Sequence, residues 1–447
     1  MLYLLLLIFI ILLIINYFGS ESDIFNPGVV FSLMNIISIV VCIVAVDLYN
    51  YDFHFNTVVV LSTGGIVFTI VNVVVSSINK GKMIRASGIE GSKLNYIVIR
   101  RYWIILFILF EIVVAYYMIR YVNNVVHAYY GRTYDFATNI GKYNNIVKLH
   151  GEEYRKLPVR SERIYSFGWP LSMLLCVFLG AVASNNYILR RKLDKLLIIP
   201  IFLPIIMSLF TGSRSNAFRF ITAFIAEYII ILRYHKGNCW RGSRKIIRRL
   251  LIIVVAVIIA MFLVVDLIGR AISMNSYQYF VAYIGGPIIN LDSYLQHQYH
   301  SSFFGQETFQ TFYSYIGGRF DIPFLRYDLN LPYFVWQGID IGNVRTMYYM
   351  FIEDFGYWGI VPLTAIIAFF YSVMYKNLMN LNSSKNIFRP RLLIYAYLFN
   401  DLIMLTFSNR FYETVLSTFS IRVYLWLVLI FFFYRHRLFC IRVKFRS

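Results

Sequence analysis

The chain has 447 residues, of which 59% are hydrophobic and 14% charged, and its mean hydropathy is +0.64. Ordinary soluble domains carry about 25% charged residues, so this composition excludes a soluble globular fold and indicates an all-α polytopic membrane protein. The net charge of +20 would suit nucleic acid, a reading that the placement of the charges then excludes.

Taking about 17 to 25 apolar residues per crossing, eleven spans are expected: 2–18, 28–46, 57–78, 102–119, 167–189, 196–211, 216–232, 250–268, 353–375, 392–407 and 415–434. The first has no basic flank and no small-residue cleavage site, so it is expected to be a helix rather than a removed signal peptide. Five connecting segments (79–101, 190–195, 233–249, 376–391 and 435–447) hold 26 of the 42 Lys and Arg and only two acids, Glu90 and Asp194. They alternate along the eleven spans, which the excess of basic residues in cytoplasmic loops explains if all five face the cytoplasm. The basic balance then reflects topology and anionic lipid, and no nucleic-acid partner is expected.

This topology puts the N-terminus outside, the C-terminus inside, and two long segments, 120–166 and 269–352, on the outer face. The second is rich in aromatic residues such as Tyr277, Tyr283, Tyr294 and Trp336, and 277–295 is expected to lie as an interfacial helix. No repeat or linker divides 1–447, so a single membrane domain is expected. Cys42, Cys176, Cys239 and Cys440 have no paired spacing, and no disulfide is expected.

Function points to the outer half. Arg214 stands in the turn Thr211-Gly212-Ser213-Arg214-Ser215 between two spans, where a charge is costly and marks a substrate path. Gly212 is expected to stop one helix and Ser215 or Asn216 to cap the next, placing Arg214 at a helix N-terminus that attracts anions. Arg219 lies about one turn on, where it either assists or pairs with Glu227. From residue 200 onward every Lys or Arg outside the cytoplasmic segments is arginine, including Arg214, Arg219, Arg270, Arg319, Arg345 and Arg410. Arginine holds phosphate oxygens bidentately and stays charged when desolvated, so these six are the candidate diphosphate ligands. Asp266 and Arg270, four apart, read as an intrahelical pair. The chain has no Asp-x-Asp to hold a metal on a nucleotide sugar and no glycine loop for a nucleotide. No metal and no cofactor are expected.

The turn at 211–215, and Gly342-Asn343-Val344-Arg345-Thr346 followed by Asp354-Phe355-Gly356-Tyr357-Trp358-Gly359, resemble the oligosaccharide repeat unit polymerases, the Wzy-type O-antigen polymerases. The likeness covers these motifs and the layout of spans with a large late outer loop. It implies a GT-C-like architecture in the bacterial inner membrane, with the active site facing the periplasm. There the growing glycan would pass from undecaprenyl diphosphate to a sugar hydroxyl of an incoming lipid-linked oligosaccharide, for lipopolysaccharide biosynthesis. A chain-length regulator is the implied protein partner.

Diphosphate is a good leaving group, so arginines suffice to neutralise its developing charge, an electrostatic effect worth about 3 kcal/mol per donor. A base must take the proton of the acceptor hydroxyl. Asp354 and Glu353 rank first for that role, Glu413 next and His300 last, with helix capping as the structural alternative for Asp354. Gly356 and Gly359 are spaced for close approach of a neighbouring helix or lipid tail. An O-antigen ligase or another lipid-linked glycosyltransferase shares this chemistry. A lipid-linked oligosaccharide flippase would instead carry charges along a central path with short loops on both sides.

Overall fold

The fold is that of a computed structural model, which describes residues 1–78, 95–159, 162–236, 276–298, 300–327, 331, 333–379 and 388–444. The expected span 250–268, together with Cys239, Asp266 and Arg270, lies outside the described residues. In chain order the helices are α1 (Leu2–Gly19), α2 (Pro27–Tyr49), α3 (Phe55–Ser77), α4 (Arg101–Tyr130), α5 (Phe136–Leu149), α6 (Gly151–Lys156), α7 (Arg163–Arg190), α8 (Lys195–Met207), α9 (Ser215–Lys236), α10 (Ser276–Gln296), α11 (Gln310–Phe320), α12 (Tyr348–Phe355), α13 (Ile360–Met379), α14 (Pro390–Ile403), α15 (Arg410–Val415) and α16 (Thr418–Arg435). Four short strands, β1 (Asn95–Ile99), β2 (Phe334–Trp336), β3 (Ile339–Gly342) and β4 (Cys440–Lys444), form two antiparallel pairs, β1 with β4 and β2 with β3.

The protein is mostly helical, and eight stretches among the described residues are long and apolar enough to cross a membrane. They are α1, α2, α3, α4, α7, α9, Tyr348–Met379 and α16, with α9 counted to Tyr234. Two expected spans are shorter. Lys195–Thr211 is a helix of 13 residues that carries Pro200 and Pro204 inside it and ends in a 3₁₀ turn stopped by Gly212. The other, α14, has 14 residues and likewise passes into a 3₁₀ turn at Met404–Thr406. Exposed apolar stripes run along the long helices, as with Ile105, Leu109, Ile112 and Tyr116 on α4. Such contiguous apolar surface belongs against lipid rather than water.

The described residues fall into two compact units, one from 1–83, 272–380 and 401–418, the other from 84–271, 381–400 and 419–447. In the first, a buried amide and hydroxyl network ties α1, α2, α3 and α13 together. Asn16 donates to Ser32 Oγ at 3.1 Å and to Thr69 Oγ1 at 2.8 Å, Asn72 donates to Asn16 Oδ1 at 2.8 Å, and Ser372 donates to Asn72 at 2.9 Å. Interhelical side-chain hydrogen bonds of this kind hold helices together where lipid supplies no hydrophobic contrast. At one end of the unit, Tyr375 donates to Asp23 at 2.8 Å and Lys376 Nζ to the Val75 carbonyl at 2.6 Å. The expected interfacial helix exists as α10, but it is buried over most of its circumference. It packs on α2: a Cβ on Gly285 would lie 2.9 Å from the Cys42 backbone nitrogen, and Ser38 donates to the Ile284 carbonyl at 3.1 Å. Glycine lets the two backbones touch, which is why the segment is core rather than surface.

In the second unit described parts of three basic segments come together. Strand β1 from 79–101 pairs with β4 from 435–447, and Asn186 near the end of α7 brackets β1 by accepting from Ile97 N at 3.1 Å and donating to its carbonyl at 2.7 Å. Beside it the Arg190 guanidinium lies 4.1 Å over the Tyr96 ring. The segment 120–166, expected outside, is helical over most of its described residues. Helix α4 runs 30 residues, about 45 Å at 1.5 Å per residue, and its C-terminal turns bury Val122, Val125 and Val126 against Tyr143 and Ile146 of α5.

Candidate functional site

Arg345, Tyr349 and Glu353 recur at a spacing of four, so the start of α12 stacks them along one face. Arg345 precedes the helix and is 8% exposed; Glu353, two turns on, is 5% exposed. The Arg345 guanidinium lies 4.4 Å from the Tyr349 ring centre and 5.3 Å from that of Tyr294 on α10, a doubly cation–π arrangement. Its Nε and Nη1 have no hydrogen-bond acceptor among the described residues, and neither does Glu353 Oε2 have a donor. Buried polar atoms are normally paired, and a buried guanidinium short of acceptors is costly unless something anionic completes it.

Around this face the backbone is pinned from several elements. Asn290 on α10 donates to the carbonyls of Gly342 at 3.2 Å and Val344 at 2.8 Å, which fixes the approach to Arg345. Ser301 N donates to the Glu353 carbonyl at 3.2 Å, bringing His300 into range of the Glu353 charge. Asn409 Nδ2 donates to the Thr308 carbonyl at 3.3 Å. Burial, together with nearby Glu307 and Asp354, pushes the Tyr327 hydroxyl up from its ordinary value.

Asp354 is oriented differently from a cap of the following span. It sits in the last turn of α12, and its carboxylate accepts from Glu307 N at 3.0 Å and Thr308 N at 2.6 Å. It therefore caps the turn that leads into α11, not the span that follows it. Gly356 ends α12 with φ +63°, and a Cβ on Gly359 would meet the Phe351 carbonyl at 2.7 Å. These glycines serve the local turn rather than a neighbouring helix.

Of the other candidates, Glu413 is paired with Arg410 at 3.3 Å within α15. Burial pushes the Glu413 carboxyl up; Arg410 opposes this shift and Asp401 adds to it. Arg319 stands exposed in the last turn of α11. Arg214 and Arg219 belong to the other unit. There Gly212, with φ +67°, ends the 3₁₀ turn, and a Cβ on it would lie 2.8 Å from Asn144 Cβ of α5. Helix α9 starts at Ser215, so neither Ser215 nor Asn216 is the cap. Arg214 takes that position, its carbonyl accepting from Phe218 N at 3.0 Å. Arg219 is buried, donates to the Tyr397 carbonyl at 3.1 Å and lies 4.8 Å over the Tyr397 ring. It does not pair with Glu227, whose carboxylate has no hydrogen-bond partner among the described residues.

Sequence reasoning did not single out a second polar node in the first unit. Buried Asp292 on α10 accepts from Tyr51 at 2.9 Å, from His54 N at 3.1 Å, from His54 Nδ1 at 2.7 Å and from Thr57 at 2.5 Å. It staples the α2–α3 turn to α10 from the face opposite Asn290 and Tyr294.

These features define a polytopic helical membrane protein with a buried arginine–tyrosine–carboxylate face. Comparison with known protein families, characterised proteins and solved structures gave no match.

Proposed function

We propose that the protein is a membrane glycosyltransferase that polymerises lipid-linked oligosaccharide repeat units, with eleven spans, the N-terminus outside, and this face on the periplasmic side. The observation that carries the reading is the buried Arg345 guanidinium with two donors lacking acceptors. The several oxygens of a diphosphate can accept from each of those donors through charge-assisted hydrogen bonds. Glu353, two turns along the same face, takes the proton of the acceptor hydroxyl through Oε2. The hydroxyl oxygen then bonds to the donor's anomeric carbon, and the bond from that carbon to the diphosphate breaks, its electron pair leaving with the diphosphate. Proton uptake neutralises Glu353 as charge develops on the leaving group, so the acid does not oppose the anion held at Arg345. No metal or cofactor takes part. The convergence of β1, β4 and the end of α7 supports placing 79–101, 190–195 and 435–447 on one side of the membrane.

Deletion of the gene followed by electrophoresis of cell-surface lipopolysaccharide tests the reading. Core carrying a single repeat unit is expected. Bare core with polymer stranded on the lipid carrier would instead identify a ligase, and bare core with unpolymerised units inside a flippase. Alkaline phosphatase fusions should be inactive after residue 240 and active after residue 310, and the reverse would overturn the topology.

A further inference from the structure

We infer that Glu111 and Glu227 form an intramembrane proton-binding site in the second unit, independent of the proposed transferase reaction. Glu111 lies on α4 and Glu227 on α9, and α7 packs against both helices. Both glutamates are fully buried, and none of their four carboxyl oxygens has a hydrogen-bond partner among the described residues.

The intervening helix is shaped for them. Ser172, Cys176 and Gly180, spaced four apart, form one face of α7. A Cβ on Gly180 would lie 2.3 Å from the Phe224 ring and 3.0 Å from Glu227 Oε2, so the missing side chain makes room for both the ring and the carboxyl. Cys176 is within electrostatic range of both acids, but its thiol already donates to the Ile201 carbonyl at 3.2 Å. The nearest cation along α9 at helical spacing, Arg219, donates to Tyr397 rather than to Glu227.

An ionised carboxylate with neither donor nor counter-ion in a hydrocarbon setting is far more costly than the neutral acid. Two such acids beside one helix bind protons in preference to a metal cation, which would require several further oxygen ligands. Ionisable residues at this depth characteristically belong to proton relays. Each acid binds one proton.

The test is infrared difference spectroscopy on the full-length protein in lipid bilayers. A protonated-carboxyl band is expected that shifts in D₂O and loses intensity in both Glu111→Gln and Glu227→Gln. In parallel, an apolar carbodiimide, which needs a protonated acid, should leave a covalent adduct on both glutamates of the unmodified protein, detectable by mass spectrometry even if a variant fails to fold. A band insensitive to D₂O, or the absence of any adduct on either glutamate, would overturn the inference.

Discussion

The two units bury polar groups in opposite senses. On the α12 face of the first, two donors of a guanidinium stacked on aromatic rings lack acceptors, and on the same face one oxygen of a carboxylate lacks a donor among the described residues. Between α4, α7 and α9 of the second, two acids have no hydrogen-bond partner among the described residues. The contrast shows that what a buried ionisable group does depends on what its surroundings fail to provide. A cation short of acceptors recruits an anion, whereas an acid short of donors keeps its proton.

The largest effect should come from Glu353→Gln, which keeps the shape and removes the base. Turnover in a purified polymerisation assay should fall at least about a hundredfold with little change in KM. An unchanged kcat would remove Glu353 from the mechanism and leave the two nodes chemically alike.

A smaller effect is expected from Gly285→Val, since α10 carries Asn290 and Tyr294 to the site and its backbone touches α2 at Gly285. Overpacking there should destabilise the protein by about 1 to 3 kcal/mol, read as a lower thermal midpoint in detergent. Retention of the midpoint would show that the helix contact gives way easily.

Asp354→Asn should cost less. Its carboxylate holds two backbone donors, and the amide oxygen can still accept, so a stability loss of about 1 kcal/mol with polymer formed at normal protein abundance is expected. Complete loss of polymer with normal abundance would return Asp354 to the position of base.

The smallest effect is pH-dependent. Burial raises the Glu413 carboxyl above its unfolded value, so the folded state holds this proton more tightly. The contribution to stability is full below the unfolded pKa and declines as pH rises through the folded one. Glu413→Gln should flatten that decline in pH-dependent melting curves, and a steeper decline would mean that the Arg410 pair dominates burial.

The membrane spans were legible because hydropathy is a local property of 20 or so residues, and the described long helices fall where the apolar runs lie. Lys195–Thr211 reads as a span, yet its α-helix stops after 13 residues and passes into a 3₁₀ turn, because composition registers apolarity but not a change of helical pitch. The candidate site was legible only in part. Arg345 and Glu353 were both named, but their shared face with Tyr349 depended on a helix starting at Tyr348, where no strong cap marks it. Tyr294, Asn290 and Glu307 reach the site through tertiary packing, and Asp292 meets Tyr51 and His54 across more than 230 positions, which no local pattern reveals. Asp354 beside Gly356 resembles a cap for the next helix, yet its partners lie 46 and 47 residues upstream.

The most direct test of the central claim is chain growth by the purified protein in bilayers, given synthetic undecaprenyl-diphosphate-linked repeat units in EDTA. The unmodified protein should lengthen the glycan without metal, and Arg345→Lys, which keeps the charge but loses the bidentate fork, should slow it about a hundredfold. Failure of the unmodified protein to polymerise until magnesium or manganese is added, or full activity in Arg345→Lys, would contradict it.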